Sequence, residues 1–390
     1  MAASSRVDSP PSNEAVTSPL VDKVSLRPIR SHVGLRGVAA LFVIAYHLQY
    51  VSGHLPIEDA TTFFRRSYLM VDLFFVLSGF IIAYKYEENQ NTTMTRQDIK
   101  LFLIKRFDRI YPLHVLVLAT MLLFNILLTL VYSASGRAIA VNWTAASIAM
   151  LVAQFLLVNV WMPFPNGWNI PSWSISAEFV AYLVFPVMVW GSVRSPRIAY
   201  GGMAIALLSF YVFVSRQGSL DLTGGVEAVA RCLAGFFAGF IVHSNRGLFE
   251  RMSTLKLSVL QIASVAWIVV SMVTPVADRY AVPAFILLVG STWPDRGIIA
   301  KVLSTKTTDW LGERSYAVYI SHVFIIGLVN FVWLRTGQRG ISSPDVARAV
   351  FLLLCFSSVL IVSNVLYGHV ERKIRSSMNR RLLRTNLKSK

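Results

Sequence analysis

Long apolar runs alternate along the chain with short polar connections, most of them basic. Eleven apolar segments can be marked, at 35–52, 68–84, 112–132, 146–162, 174–192, 198–215, 227–243, 257–274, 280–292, 314–334 and 346–368. Most approach the roughly 20 apolar residues that a helix needs to cross a hydrocarbon core of about 30 Å. Helices satisfy their own backbone hydrogen bonds where no water is available, so the pattern predicts an all-α polytopic membrane protein.

The connections decide how many segments cross. If all eleven did, the two basic ends of the chain would lie on opposite sides, against the tendency of Lys and Arg to stay inside. Lys85, Arg96, Lys100, Lys105, Arg106 and Arg109 follow the second segment. Arg194 and Arg197, then Arg246, Arg251 and Lys256, then Arg296, Lys301 and Lys306 punctuate later ones. All share one side if a segment between 133 and 173 enters and leaves from the other. Segment 146–162 fits, being short, carrying Gln154 and Asn159, and running into Pro163, Pro165, Gly167 and Pro171. Such polar, broken backbone is tolerated at membrane depth only where protein or a water-filled cavity covers it. The expectation is therefore about ten spans plus a re-entrant or outer-face element at 146–173, with 280–292 the weakest span. Residues 1–31 and 371–390 read as cytoplasmic tails around a membrane domain at 32–370, in a multi-pass inner-membrane protein.

Composition agrees. Of 390 residues 55% are hydrophobic and only 15% charged, too few charges to cover a water-facing surface of this size. The net charge of +17 sits in short loops and tails, where it reads as a topology signal, and nucleic acid is not implied as a partner. Cys232 and Cys355 lie in apolar runs without CxxC spacing and read as core residues. No cleavable signal peptide is visible.

Ionisable groups inside apolar segments are costly, and by default they mark function. Arg36 and His47 are eleven residues apart, which puts them on one helix face about 16 Å apart along the axis. Asp72 precedes Ser78-Gly79, a small pair that lets a neighbouring helix or ligand approach closely. Arg106 and Arg109 are neighbours on a helix, suited to phosphate, of a cofactor or of membrane lipids, and Pro112 can open the third span. Glu178 has no basic residue within four positions, which makes it a candidate acid, base or base-orienting group. Trp173 opens the same span, and His322 lies on the tenth segment. Glu227 and Arg231 read as a structural i, i+4 pair; His114, His243 and His369 read as interfacial. Zinc-protease, Walker, GxSxG and dinucleotide motifs do not occur.

Arg36-x10-His47, the stretch Asp72–Phe80, Arg106-Phe-x-Arg109-Ile-Tyr-Pro112, Trp173-Ser-x-x-x-Glu178 and Gly312…Ser315-Tyr…His322 occur in this order. Together they resemble the bacterial integral-membrane acyltransferase type 3 family, in its stand-alone form. That resemblance implies an enzyme that moves an acyl group, by the family's habit acetyl, from cytoplasmic acyl-CoA to a sugar hydroxyl. The acceptor would be a cell-surface or exported carbohydrate, or a lipid-linked glycan; no tightly bound cofactor or metal is implied. His47 would be the general base, and Asp72 or Glu178 would orient it or bind the sugar. Arg36, Arg106 and Arg109 would hold the donor phosphates. Ser78, Trp173 and His322 would line the substrate site, with the Trp- and Asn-rich element at 146–173 a platform for the sugar. A secondary transporter is the alternative, disfavoured because only one broken region is visible rather than a pair in the two halves.

Overall fold

The computed structural model describes residues 27–52, 62–86, 94–136, 143–162, 167–274, 278–336, 343–374 and 376–377. Among them all regular structure is helical. In chain order the helices are α1 (Arg30–Ser52), α2 (Met70–Tyr86), α3 (Arg96–Ala134), α4 (Ala145–Phe155), α5 (Ser172–Arg194), α6 (Pro196–Gln217) and α7 (Gly225–Ser244). They continue with α8 (Gly247–Glu250), α9 (Thr254–Val273), α10 (Ala281–Thr292), α11 (Ile298–Leu303), α12 (Lys306–Thr336) and α13 (Pro344–Leu366). Nine helices among the described residues are long and apolar enough to cross a membrane.

The weak span expected at 280–292 is α10, whose 12 residues reach only about 18 Å. It still joins the two ends of the bundle. Asp278, just before it, accepts from Tyr68 and from the backbone N–H of Leu220; the carbonyl of Thr292, at its far end, accepts from Ser31. Most of its residues are buried against neighbouring helices, so it has no need to match the thickness of lipid. The element at 146–173 does not cross. The 11-residue α4 ends at Phe155, and Leu157, with a φ of 56°, turns the chain. A short 3-10 turn at Asn159–Trp161 follows, and the chain returns to α5. The Gln154 side chain bonds the Asn169 backbone twice across this re-entry, donating to its carbonyl and accepting from its N–H, and Asn169 Nδ2 reaches the carbonyl of Ile320 on α12. The polar backbone is covered by protein, as the bilayer demands.

Three sequence expectations are corrected. Pro112 lies inside α3 rather than at its start, which is set by a capping box between Thr95 and Asp98. His114 and His243 are buried rather than interfacial, His114 Nε2 donating to the carbonyl of Gln154. Arg231 pairs not with Glu227 but with Asp72. Residues 163–166, 1–26 and 378–390, which include Pro163, Pro165 and most of both expected tails, lie outside the described residues.

Two close helix contacts organise the bundle. On α2 and α7, a Cβ at Gly79 would stand 2.0 Å from the carbonyl oxygen of Phe236, and one at Gly239 2.0 Å from that of Val76. On α1 and α12, a Cβ at Gly312 would stand 1.9 Å from the carbonyl oxygen of Val33, and one at Gly37 2.7 Å from the backbone nitrogen of Gly312. Backbones touch at both places, the small-residue packing by which membrane helices associate. The α2–α7 contact is tied by Arg231, which donates to both oxygens of Asp72 at 2.9 and 2.7 Å, with Trp173 and Tyr68 rings against the guanidinium.

Breaking that pair leaves a bare charge in the interior. Asp72→Ala is expected to destabilise the protein by about 3–5 kcal/mol, and the double replacement Asp72→Ala/Arg231→Met to recover most of it. Thermal unfolding of the detergent-solubilised variants checks both outcomes.

Candidate active site

Five of the sequence-selected residues line one cavity. Arg36 from α1, Ser78 from α2, Arg106 and Arg109 from α3 and Glu178 from α5 all face it, and Ser315, Tyr316 and Tyr319 of α12 close its side. The empty space between these side chains, its open mouth included, is about 770 Å³. The helix directions order its wall. Arg36, Arg106, Arg109 and Ile82 lie toward the Arg30 end of the bundle, Ser78 and Glu178 in the middle, and Val71, Phe74, Ser174 and Tyr319 at the blind end. Val71 to Ile82 along α2 is about 16 Å.

The mouth is electropositive. Arg106 rests on the rings of Phe102 and Tyr182, and its buried Nε has no hydrogen-bond partner. A buried guanidinium N–H without an acceptor is costly, and an anion in the cavity would satisfy it. At mid-depth, Ser78 Oγ donates to Glu178 Oε1. Glu178 is thus engaged inside the cavity.

His47 is not part of that wall. It lies one layer further, against His322, whose fully buried ring holds Nε2 3.1 Å from His47 Nδ1. His322 Nδ1 faces two backbone carbonyls, Tyr319 at 2.8 Å and Val318 at 3.2 Å. Carbonyls only accept, so the proton of His322 sits on Nδ1 and its Nε2 offers a lone pair. That lone pair and the Val43 carbonyl, 3.0 Å away, both ask His47 Nδ1 for a proton. His47 is thereby left with a free basic Nε2. This histidine pair is joined to the cavity through Tyr319, which lines the blind end and whose ring centroid lies 6.1 Å from that of His322.

Asp72 and Trp173 are placed elsewhere. Both oxygens of Asp72 are taken by Arg231, and Trp173 is buried between that guanidinium and Phe75. The Trp- and Asn-rich element is likewise used internally. Asn159 Nδ2 donates to Ser172, Trp168 donates to Ser147, and only Trp161 among its named residues is largely exposed. A platform for sugar stacking is therefore not formed by these side chains.

Sequence reasoning gave His322 no link to His47, and it passed over Tyr319 and Ser174. A signal for the histidine pair was present. His47 follows Gly37 by ten residues, and His322 follows Gly312 by ten, the a-to-d spacing of one helical seam. Gly37, Ala40, Ile44 and His47 on α1, and Gly312, Ser315, Tyr319, His322 and Ile326 on α12, recur at steps of three and four, and the two helices meet at Gly37 with Gly312 and at His47 with His322.

A family profile described as an acyltransferase domain matches residues 33–368. The chain is 24% identical over 393 residues to the peptidoglycan O-acetyltransferase OatA of Listeria monocytogenes, covering 91% of this chain and 57% of that protein. It is 28% identical over 377 residues to the acyltransferase MdmB of Streptomyces mycarofaciens, covering 90% and 92%. A stretch of 96 residues is 44% identical to protein 2 in the picA locus of Rhizobium radiobacter, covering 24% and 44%. The chain thus spans little more than half the length of the Listeria relative, though nearly all of MdmB. No solved structure matches it. Because the matched region takes in the arginine-lined cavity and both histidines, the chain belongs to the acyltransferase 3 family.

Proposed function

We propose that the protein is a membrane O-acyltransferase that moves an acyl group, acetyl in the simplest case, from acyl-CoA to a sugar hydroxyl of a cell-surface or exported glycan. The single observation that carries this reading is the layering of the bundle interior. Guanidiniums stand at the mouth, a cavity about 16 Å deep follows, and a histidine pair lies one helical turn beyond its blind end. Nucleotide phosphates held by Arg36, Arg106 and Arg109 would leave the pantetheine arm to fill the cavity and bring the thioester to the layer of Tyr319 and Ser174. The basic loops gather at the Arg30 end, which supports a cytoplasmic mouth, cytoplasmic termini and an inner-membrane location. The names of the relatives, a peptidoglycan O-acetyltransferase and an acyltransferase, support a hydroxyl-bearing glycan or glycoside as acceptor.

In this reading His47 Nε2 takes the proton of the acceptor hydroxyl as its oxygen attacks the thioester carbonyl. Nδ1–H of His47 donates meanwhile to Nε2 of His322, which is held in the accepting tautomer by the α12 backbone. His322 is a positioning residue: it keeps the imidazole of His47 oriented with the basic nitrogen outward, the task a carboxylate performs in other acyl-transfer sites. Ser78 and Glu178 line the arm's path at mid-depth and hydrogen-bond its amides. Asp72 and Trp173 act at a distance by holding α2, α5 and α7 together.

His47→Ala is expected to lower acyl transfer by about 10²–10⁴-fold at unchanged membrane abundance; wild-type acyl content of the surface glycan would sink the assignment. His322→Ala is expected to depress kcat while leaving donor KM within about twofold, as steady-state assays in nanodiscs would register. Arg106→Ala is expected to raise donor KM about tenfold or more with kcat retained, since a charge-assisted contact to phosphate is lost. Release of free coenzyme A by purified protein, set against uptake into vesicles, separates this reading from a transporter.

A further inference from the structure

Acyl transfer builds negative charge on the thioester oxygen, and a dry site must offer that oxygen a hydrogen-bond donor. The blind end of the cavity is otherwise apolar. Val71, Phe74, Phe75 and Ile175 form it, and the two donors there are the hydroxyls of Ser174 and Tyr319. Other hydroxyls along the cavity are already committed: Ser78 and Tyr182 to Glu178, Ser315 to the carbonyl of Gly312, Tyr316 to that of Ile110.

We propose that the Tyr319 hydroxyl is the oxyanion donor of the acyl-transfer reaction, and that Ser174 is the positioning residue that holds it. Ser174 Oγ lies 3.0 Å from the carbonyl of Pro171 and Tyr319 Oη 3.5 Å from it; the shorter contact makes the serine its donor, so in the 2.6 Å contact between Ser174 Oγ and Tyr319 Oη the tyrosine proton points at the serine. That proton is the movable one. Turning about the C–O bond carries it from Ser174 to an oxygen entering the cavity, while Ser174 remains satisfied by Pro171. The ring itself is fixed. It packs edge-on against Phe74 at 5.6 Å and is 8% exposed, so its hydroxyl is preorganised between the arm and the histidine pair, one turn of α12 from His322.

The step balances. The acceptor oxygen forms a bond to the carbonyl carbon as its proton passes to His47 Nε2. The carbonyl π pair moves onto oxygen, where Tyr319 Oη–H donates to it. The pair then returns, the C–S bond breaks with its electrons on sulfur, and the proton on His47 passes to the thiolate. Ester and free thiol leave with no net gain or loss of protons.

This inference rests on the acyltransferase reading above, and its test keeps the two apart. Full-length protein in nanodiscs is assayed for acetyl transfer from acetyl-CoA, with an acceptor glycan and free thiol as readout. Tyr319→Phe keeps the ring and leaves Ser174 bonded to Pro171, so it should unfold at the wild-type temperature. Its kcat should fall about 10²–10³-fold, the usual cost of one oxyanion donor, with donor KM within about twofold. Ser174→Ala should give a smaller loss of kcat, again without a change in KM. Turnover by Tyr319→Phe at the wild-type kcat overturns the oxyanion assignment alone, as does a loss that appears in KM or in the unfolding temperature instead. Failure of the wild-type protein to release thiol from acetyl-CoA overturns the donor reading and this assignment with it.

Discussion

The contact of backbone on backbone between α1 and α12 is the constraint on which the rest depends. Gly37 and Gly312 leave no room for a Cβ between the helices, so the two axes are fixed in both separation and register. The helices run parallel, both starting at the Arg30 end, where the Arg30 guanidinium also pairs with Asp309 at 2.6 Å. Each histidine stands ten residues, about 15 Å, beyond its glycine. Equal spacing from a common point brings the two rings to one height, and the three- and four-residue steps keep them on the facing seam. A side chain larger than hydrogen at either glycine would shift that register and part the histidines.

Buried charge is handled in two different ways. Asp72 and Arg231 neutralise one another completely, with aromatic faces around the guanidinium, and the result is a fixed strut between α2 and α7. The arginines of the α3 entrance are treated otherwise. Arg106 lies at a cavity wall with an unsatisfied N–H, and the nearby carboxylate, Glu178, is occupied by Ser78. A group paired inside the fold serves the fold, whereas one held at a cavity with capacity left over is ready for a ligand. The distinction separates two acidic residues, Asp72 and Glu178, that look equally suspicious as charges in apolar segments.

The re-entrant element has a similar logic. The amide N–H groups of its asparagines donate to Ser172 and to the α12 backbone at Ile320. It therefore braces the stretch of α12 that carries Tyr319 and His322. Its Trp and Asn residues suggest a sugar platform when read linearly; burial turns most of them into internal struts.

Much was determined by the sequence alone. Apolar run lengths and the placement of Lys and Arg dictate a helical membrane bundle with one element that enters and leaves on the same side, because lipid admits no unsatisfied backbone and insertion sorts positive charge. The same cost of burying charge singled out Arg36, His47, Arg106, Arg109 and Glu178. What only the tertiary structure decided is pairing. Whether Asp72 meets Glu227's neighbour Arg231 or a catalytic imidazole, whether Trp173 faces a cavity or a guanidinium, and whether His322 meets His47 all depend on which helix faces lie together. Those contacts join residues on different helices, the two polar pairs 159 and 275 positions apart, with partners set by close packing of small residues and interlocking side chains, and a linear pattern records the candidates for such contacts without recording their choice.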